Sequence, residues 1–254
     1  MPGIDLLGYA FKQEGFWVVQ GGDVIFGGDV RNEHYPPGKF DGIISGPPCQ
    51  CFSRLAHMVR HNGYEPKFGN LIPEFERCCL EAWPAWWLME NVPDAPLPMV
   101  AGYAAWSTLL NNRQLGEVQN RVRRWTFGVR GTKRKPLMIE TVALEPIQFE
   151  YAATGGSQQA VPIAMNRGMK IKAAKSRLPF NTKSANAFAE LCRKQGLPAG
   201  FDLPGFTVEG KCKAVGNGVP LAMGRALAKA VKEATEVKLA AAAGEGRDEH
   251  DQHD

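Results

Sequence analysis

Short apolar runs alternate with stretches of helical periodicity along the first half of the chain. Residues 17–20, 42–45 and 86–89 are apolar runs of strand length, whereas residues 6–15 and 74–81 repeat their apolar positions at helical spacing. Strands that alternate with helices are typical of a parallel sheet covered on both faces. The pattern predicts an α/β fold with a doubly wound, mostly parallel sheet.

The second half of the chain has a different pattern of apolar and polar positions. Residues 124–129 and 138–140 are predicted to form antiparallel strands that lead away from the sheet. An Ala-rich stretch, residues 221–241, carries apolar side chains at helical spacing and is predicted to dock on the first half. Residues 244–254 have no apolar content, and we expect them to be a disordered acidic tail.

The composition indicates one hydrophobic core and a net positive charge on the chain outside its acidic tail. The 254 residues are 44% hydrophobic, which is enough for one core and a small appended module. The formal net charge is +4, and it rises to +8 without residues 244–254. Residues 119–135 hold seven Lys or Arg and residues 166–183 hold six, with no acid in either stretch. Both stretches are candidates to face phosphates, with ordinary basic surface as the alternative.

The six cysteines do not have the spacing of a metal site or a disulfide framework. There is no Cys-x-x-Cys pair, and the spacings Cys49-x-Cys51 and Cys78-Cys79 suit neither. There is also no signal peptide and no apolar stretch of membrane-spanning length. We therefore expect a reduced, cytoplasmic protein with no metal and no membrane partner.

A cysteine follows the apolar run 42–45, in the tetrapeptide Pro47-Pro48-Cys49-Gln50. Open α/β sheets carry their chemistry at the carboxyl ends of strands, so Cys49 is a candidate nucleophile. A buried, inert cysteine is the alternative. Glu90 directly follows the other apolar run, residues 86–89. If the two strands are parallel neighbours, Cys49 and Glu90 face one crevice.

Two later motifs carry polar groups in a regular arrangement. In an extended segment 119–123, the side chains of Gln119, Arg121 and Arg123 share one face. Residues 216–220, Gly-Asn-Gly-Val-Pro, open the helix predicted from Leu221, with the proline near its first turn. An ordinary solvated strand face and a simple turn are the alternatives.

Taken in order, these motifs resemble those of the cytosine-C5 DNA methyltransferases. The resemblance rests on Pro-Pro-Cys-Gln, Glu90-Asn91-Val92, the Gln-x-Arg-x-Arg of residues 119–123, Gln195-Gly196-Leu197-Pro198 and the motif at residues 216–220. It implies methyl transfer from S-adenosylmethionine to C5 of a cytosine that has been flipped out of DNA. Cys49 would attack C6. Glu90 would act at N3, Arg123 at O2, and Arg121 would support the site.

The resemblance also implies a cofactor site, although the start of the chain departs from the family pattern. Gly3, Asp29, Pro47, Leu71, Asn217 and Val219 are the residues expected to contact S-adenosyl-L-methionine. The strand that should end in the first glycine motif is missing before Gly3, so the N-terminus looks clipped. No clear acidic residue for the ribose hydroxyls is seen in residues 18–23.

For DNA, the resemblance implies a lid and a recognition region. Residues 51–70 are expected to be a mobile basic lid, and the target-recognition region is expected within residues 131–207. Residues 1–130 would form the catalytic core, to which residues 208–243 return. The residues expected to contact double-stranded DNA are Arg54, Gln119, Arg167, Lys170 and Lys172, with Gln119 also a candidate for a structural role.

We expect a monomer that recognises a short DNA site. The resemblance implies a bacterial cell or a phage-infected host, and a role in restriction and modification, in defence of a bacteriophage's DNA or in regulation stays open. Two alternatives stay open. The same motifs suit a cytosine methyltransferase that acts on RNA. A second alternative is a DNA-binding relic or partner subunit, in which the altered first motif has abolished catalysis.

Overall fold

The computed structural model describes residues 3–52, 69–142, 150–151 and 185–245. The helices are α1 (Leu6–Gln13), α2 (Ile72–Ala82), α3 (Ala185–Lys194), α4 (Val208–Asn217) and α5 (Leu221–Glu245). The strands are β1 (Gly42–Ser45), β2 (Trp86–Asn91), β3 (Tyr103–Asn111), β4 (Gln119–Asn120), β5 (Val122–Arg130) and β6 (Glu150–Tyr151).

The main sheet has the strand order β1-β2-β5-β3, and β4 pairs with β6 in a small second sheet. Strands β1 and β2 are parallel, as predicted, with Gly42 opposite Trp86. Strand β5 pairs antiparallel with both β2 and β3. The prediction that this segment leads away from the sheet was wrong, because the nine residues of β5 fill the gap between β2 and β3.

Both faces of the sheet are covered by helices. Along β2, Trp86 and Leu88 pack in a core with α1 and α5, whereas Trp87 and Met89 pack in another core with α2. Successive side chains of a strand point to opposite faces, so a continuous apolar run is what a strand buried on both sides requires. The α/β class with a doubly wound sheet is confirmed, although the described sheet mixes parallel and antiparallel pairs.

The end of the chain packs against its beginning. Leu6 and Ala10 of α1 form a third core with Leu191 of α3 and Val215 of α4. Helix α5 starts directly after Pro220 and packs along α1 and the sheet through buried residues such as Met223 and Leu227. Both the start and the docking of this helix were predicted. The helix also includes residues 244 and 245, which the sequence had assigned to a disordered tail.

Two predicted strands are not strands in the structure. Residues 17–20 pair with no described segment, and Trp17 and Val19 are 95% and 63% exposed. Phe16 and Val18 do pack on the core. Residues 138–140 also make no strand: Leu137 is buried and Ile139 partly buried against the core, while Met138 is exposed. In both segments, buried and exposed side chains alternate because one side of the segment packs on the core, although its backbone pairs with no described strand.

Candidate active site

The candidate nucleophile and carboxylate meet because β1 and β2 are parallel neighbours. The chain leaves β1 through Gly46 and two prolines, and Cys49 begins a short 3₁₀ turn that ends at Cys51. Glu90 is the penultimate residue of β2. The next residue, Asn91, is buried and donates from Nδ2 to the carbonyl of Pro47 at 3.3 Å. This bond ties the loop that carries Cys49 to the end of β2.

Glu90 forms an ion pair with Arg123 across the strand boundary. Arg123 Nε lies 2.7 Å from Glu90 Oε1, and both side chains are only 14% exposed. Strand β5 places Trp125 opposite Glu90, so Arg123 lies two residues further along the same face. A partly buried pair of this kind is less weakened by solvent than a surface pair. Arg123 therefore holds the Glu90 carboxylate in a fixed orientation.

The backbone at Gly46 comes close to the same carboxylate. A Cβ atom at Gly46 would lie 3.2 Å from Glu90 Oε2, which is tighter than an ordinary contact. The absence of a side chain at residue 46 thus gives Glu90 its room beside the loop that carries Cys49.

The surroundings raise the pKa of the Cys49 thiol. Burial is the main cause, and the negative charge of Glu90 adds to it. Arg123 and Arg121 lower the pKa and so favour the thiolate, but burial and Glu90 outweigh them.

Arg121 is buried and attached to the loop between α4 and α5. Its Nη1 and Nη2 donate to the carbonyls of Gly216 and Gly218, each at 3.0 Å. Burial, together with the nearby Arg123, lowers its pKa to about 9. These two bonds join the Gln-x-Arg-x-Arg segment to the closing motif, so Arg121 holds the site together through the backbone.

Gln119 has a similar place in the structure. It is fully buried, and its Nε2 donates to the Lys194 carbonyl at 2.6 Å and to Gln195 Oε1 at 3.2 Å. Gln195 in turn donates to the carbonyls of Val215 and Gly218. A side chain buried in this network does not face DNA, which argues against the expected DNA contact and for the structural role.

The residues expected to hold the cofactor are spread over several segments. Gly3 has a positive φ, and its N–H donates to Asp23 Oδ2 at 2.8 Å. Asp29 accepts three hydrogen bonds from the Arg31 side chain and one from its backbone, and these lower the pKa of the carboxyl. Leu71 immediately precedes α2, and Pro47 precedes Cys49. Asn217 is exposed, whereas Val219 is buried in the core beside α1.

Sequence reasoning missed Asp23. This aspartate lines a pocket of about 310 Å³ with Gln20, Phe26 and three glycines, Gly21, Gly22 and Gly28. The loop is folded so tightly that a Cβ at Gly28 would lie 2.7 Å from the Cα of Gly22. Asp29 directly follows this loop. Two carboxylates beside a glycine-lined pocket are chemically suited to the hydroxyl and amino groups of an adenosine, so these residues fit that part of S-adenosylmethionine.

The other residues expected to contact DNA, Arg54, Arg167, Lys170 and Lys172, lie outside the described residues. The same holds for most of the expected lid and recognition region. Among the described residues, no three His, Cys, Asp or Glu side chains are grouped to hold a metal ion. A search of the same residues also found no helix long and apolar enough to cross a membrane. The six cysteines all lie within the described residues, and none of them forms a disulfide.

The fold is Rossmann-like and is similar to that of solved structures. The structure is similar to the Entamoeba histolytica methyltransferase EhMeth, with a TM-score of 0.57 over 91% of this chain and 96% of that one, at 10% identity. It is similar to the S. pombe Dnmt2 methyltransferase, with a TM-score of 0.58 over 92% and 97% of the two chains, at 12% identity. At such low identity these likenesses show the fold.

The sequence is similar to known methyltransferases over part of its length. Residues 23–96, which include Cys49 and Glu90, match the family model described as C-5 cytosine-specific DNA methylase. The chain is 31% identical over 117 residues to the type II methyltransferase M.BanI of Aneurinibacillus aneurinilyticus, and 31% identical over 115 residues to M.FnuDI of Fusobacterium nucleatum. The resemblance to the cytosine-C5 DNA methyltransferases is thereby confirmed. The matches cover 41% and 40% of this chain, and 27% and 32% of the two relatives.

Proposed function

We propose that the chain transfers a methyl group from S-adenosylmethionine to C5 of a flipped-out cytosine in DNA, through a covalent bond between Cys49 and C6. The observation that carries the proposal is the meeting of Cys49 with the Glu90–Arg123 ion pair at the ends of two parallel strands. The family match over the segment that holds Cys49 and Glu90 supports the same reaction.

Cys49 is the nucleophile in this proposal. Cytosine C5 is a poor nucleophile, and a thiolate that adds to C6 makes C5 electron-rich. C5 then takes the methyl group, and loss of the C5 proton expels the thiolate and restores the ring. Because the pKa of Cys49 is raised in the free protein, the thiol proton has to leave as the substrate binds.

Glu90 and Arg123 act on the ring that Cys49 attacks. The Glu90 carboxyl takes up a proton as the base binds, donates to N3 and accepts from the exocyclic amine, which draws electrons from C6. Arg123 binds O2, where negative charge develops after the attack. The ion pair observed between them keeps both groups beside the thiol before the base enters. Arg121 acts indirectly, because its Nη atoms are bonded to the carbonyls of Gly216 and Gly218.

The methyl donor lies against the loop that contains Asp23 and Asp29. When bound, S-adenosylmethionine supplies an electrophilic methyl group. The carboxylates of Asp23 and Asp29 bind the adenosine, and the loop at Gly3 supports Asp23 through its N–H. Pro47, Leu71, Asn217 and Val219 complete this site in the proposal.

The substrate is double-stranded DNA, and the base has to leave the stack to reach Cys49. Arg54, Arg167, Lys170 and Lys172 are proposed to contact DNA, together with the basic stretch 119–135 where it is exposed. We place the target-recognition region for DNA within residues 131–207. The enzyme is proposed to be a monomer.

Covalent trapping tests the reaction. The chain is incubated with S-adenosylmethionine and a duplex that contains 5-fluorocytosine, which blocks the loss of the C5 substituent and keeps the adduct. We expect a complex of higher mass that the Cys49→Ser variant does not form and that the Cys51→Ser variant still forms. A complex that survives Cys49→Ser would refute the role of Cys49. Trapping by an RNA of the same sequence, without trapping by DNA, would show that the substrate is RNA.

A DNA-binding subunit without catalysis is the second candidate. The observation in its favour is that burial and the negative charge of Glu90 both raise the pKa of the Cys49 thiol and so oppose its ionisation. Calorimetric titration with S-adenosylmethionine separates the two candidates. Cofactor binding supports the enzyme, whereas DNA binding with no cofactor binding and no trapping supports the subunit.

A further inference from the structure

Arg77 of helix α2 holds a separate loop through its guanidinium group. Its Nη2 donates to the Val30 carbonyl at 2.7 Å, and its Nη1 donates to the Glu33 carbonyl at 3.0 Å. Val30 is the first residue of the 3₁₀ turn Val30–Asn32, and Glu33 follows its last residue. One side chain of α2 therefore clamps this turn at both ends.

The guanidinium of Arg77 is itself held by two carboxylates of its own helix. Glu74 Oε2 lies 2.8 Å from Nε, and Glu81 Oε1 lies 2.7 Å from Nη1. A guanidinium is planar and presents its N–H donors in a rigid fork. Two ion pairs on one planar group leave it few other orientations, so the group that faces the Val30 carbonyl is fixed in direction as well as in position.

The clamped turn carries one of the two carboxylates beside the glycine-lined pocket. Asp29 directly precedes Val30, and its side chain accepts from the Arg31 N–H, so the carboxylate is part of the turn. Within the turn, the amides of Asn32 and Glu33 donate to the carbonyls of Asp29 and Val30. A shift of the Val30 carbonyl therefore also shifts the Asp29 carboxylate.

The far end of the turn supports the other wall of the pocket. A Cβ atom at Gly22 would overlap the Glu33 side chain, and one at Gly21 would lie 2.7 Å from the Tyr35 hydroxyl. Because Gly21 and Gly22 line the pocket, residues 33–35 pack directly behind its glycine wall. The bond to the Glu33 carbonyl thus fixes the segment on which this wall rests.

We propose that Arg77 is a positioning residue of the cofactor site and sets the affinity for S-adenosylmethionine by holding the turn at Asp29 in place. It acts through the carbonyls of Val30 and Glu33 rather than by touching the methyl donor. Helix α2 also begins directly after Leu71, another residue assigned to this site, so one helix connects two parts of it. The inference rests on the proposed function, because it takes S-adenosylmethionine as the ligand of the pocket.

Calorimetric titration of the protein with S-adenosylmethionine, without DNA, measures the effect. Arg77→Met removes the donors to both carbonyls, and we expect the dissociation constant to rise roughly tenfold because the site is no longer preorganised. Arg124→Met is the matched control, since Arg124 donates to the carbonyl of another loop residue, Pro93, from Nε at 2.9 Å and from Nη2. That variant should bind within about twofold of the original chain.

A double-mutant cycle with Asp29→Asn separates positioning from general support of the fold. The double variant should bind about as weakly as Arg77→Met alone, because displacement of the turn has already removed the contact of Asp29. If Arg77 merely stabilises the fold, the two effects multiply to roughly a hundredfold, and the proposal is overturned. Arg77→Lys, which keeps the charge but loses the planar fork, replaces the Met variant in the cycle if that variant does not fold.

Hydrogen exchange supplies a readout that needs no cofactor. The amides of Asn32 and Glu33, which donate within the turn, should exchange at least about tenfold faster in Arg77→Met and at the original rate in Arg124→Met. Unchanged exchange in Arg77→Met would overturn the proposal.

The original chain shows which of the two proposals has failed. If it binds no S-adenosylmethionine, the assigned cofactor is refuted, and the inference about Arg77 with it. If it binds the cofactor and Arg77→Met binds equally well, only the role of Arg77 is refuted.

Discussion

Arg123 contacts Glu90 through Nε at 2.7 Å from Oε1, on a strand that runs antiparallel to the one carrying Glu90. The contact places a positive and a negative charge together beside Cys49. Their effects on the thiol are opposite, since Glu90 raises the pKa of Cys49 and Arg123 lowers it. The reactivity of Cys49 therefore reports directly on this pair.

Glu90→Gln should make Cys49 easier to ionise. The substitution removes a negative charge that raises the pKa, so the thiolate forms at lower pH. Arg123→Gln should act in the opposite direction. The measurement is the rate of alkylation of Cys49 by iodoacetamide against pH, followed by mass spectrometry. The midpoint should move down for the first variant and up for the second. Identical midpoints would show that the charges do not reach the thiol.

Gly46→Ala should displace Glu90 and slow the proposed reaction. The new Cβ atom lies 3.2 Å from Glu90 Oε2, so the carboxylate has to shift by a few tenths of an ångström. We expect the rate of covalent trapping to fall roughly tenfold, because catalysis depends on accurate placement. Gly69→Ala is the matched control, since a Cβ there has no atom within 4 Å. Equal trapping rates for the two variants would show that the reaction does not depend on the space at Gly46.

Arg121→Met should destabilise the protein. The substitution leaves the carbonyls of Gly216 and Gly218 without their donor, which costs about 3 kcal/mol of unfolding free energy. Arg121→Lys keeps a charge but loses the planar fork, and should recover only part of the loss. Urea unfolding measures both. Lys133→Ala, at an exposed position, should change stability by no more than about 0.5 kcal/mol.

Asp29→Asn should weaken binding of S-adenosylmethionine roughly tenfold, because one charged hydrogen-bond acceptor is lost beside the glycine-lined pocket. Arg31→Ala leaves the carboxylate in place and releases it from its present partner. That variant should bind the cofactor at least as well as the original chain. Calorimetry compares the two, and a weaker Arg31→Ala variant would show that the pair itself is required.

Local sequence was sufficient for the elements with a continuous apolar run or a clear helical periodicity. The runs at β1 and β2 are strands with the predicted parallel pairing, and α1, α2 and α5 lie where their periodicity placed them. Strand β3 was overlooked although it has nine residues. Its side chains are mostly half-buried, so it lacks the continuous apolar run that marked β2.

The sequence by itself determined that Cys49 and Glu90 each follow a strand of a parallel sheet, because strand-length apolar runs that alternate with helical stretches are typical of that fold. That the two strands are neighbours was decided by the tertiary structure. Only the tertiary structure decided what surrounds them. The Glu90–Arg123 pair and the buried bonds of Arg121 and Gln119 depend on segments far apart in the chain. Such contacts arise from packing between elements, and the periodicity within any one element carries no information about them.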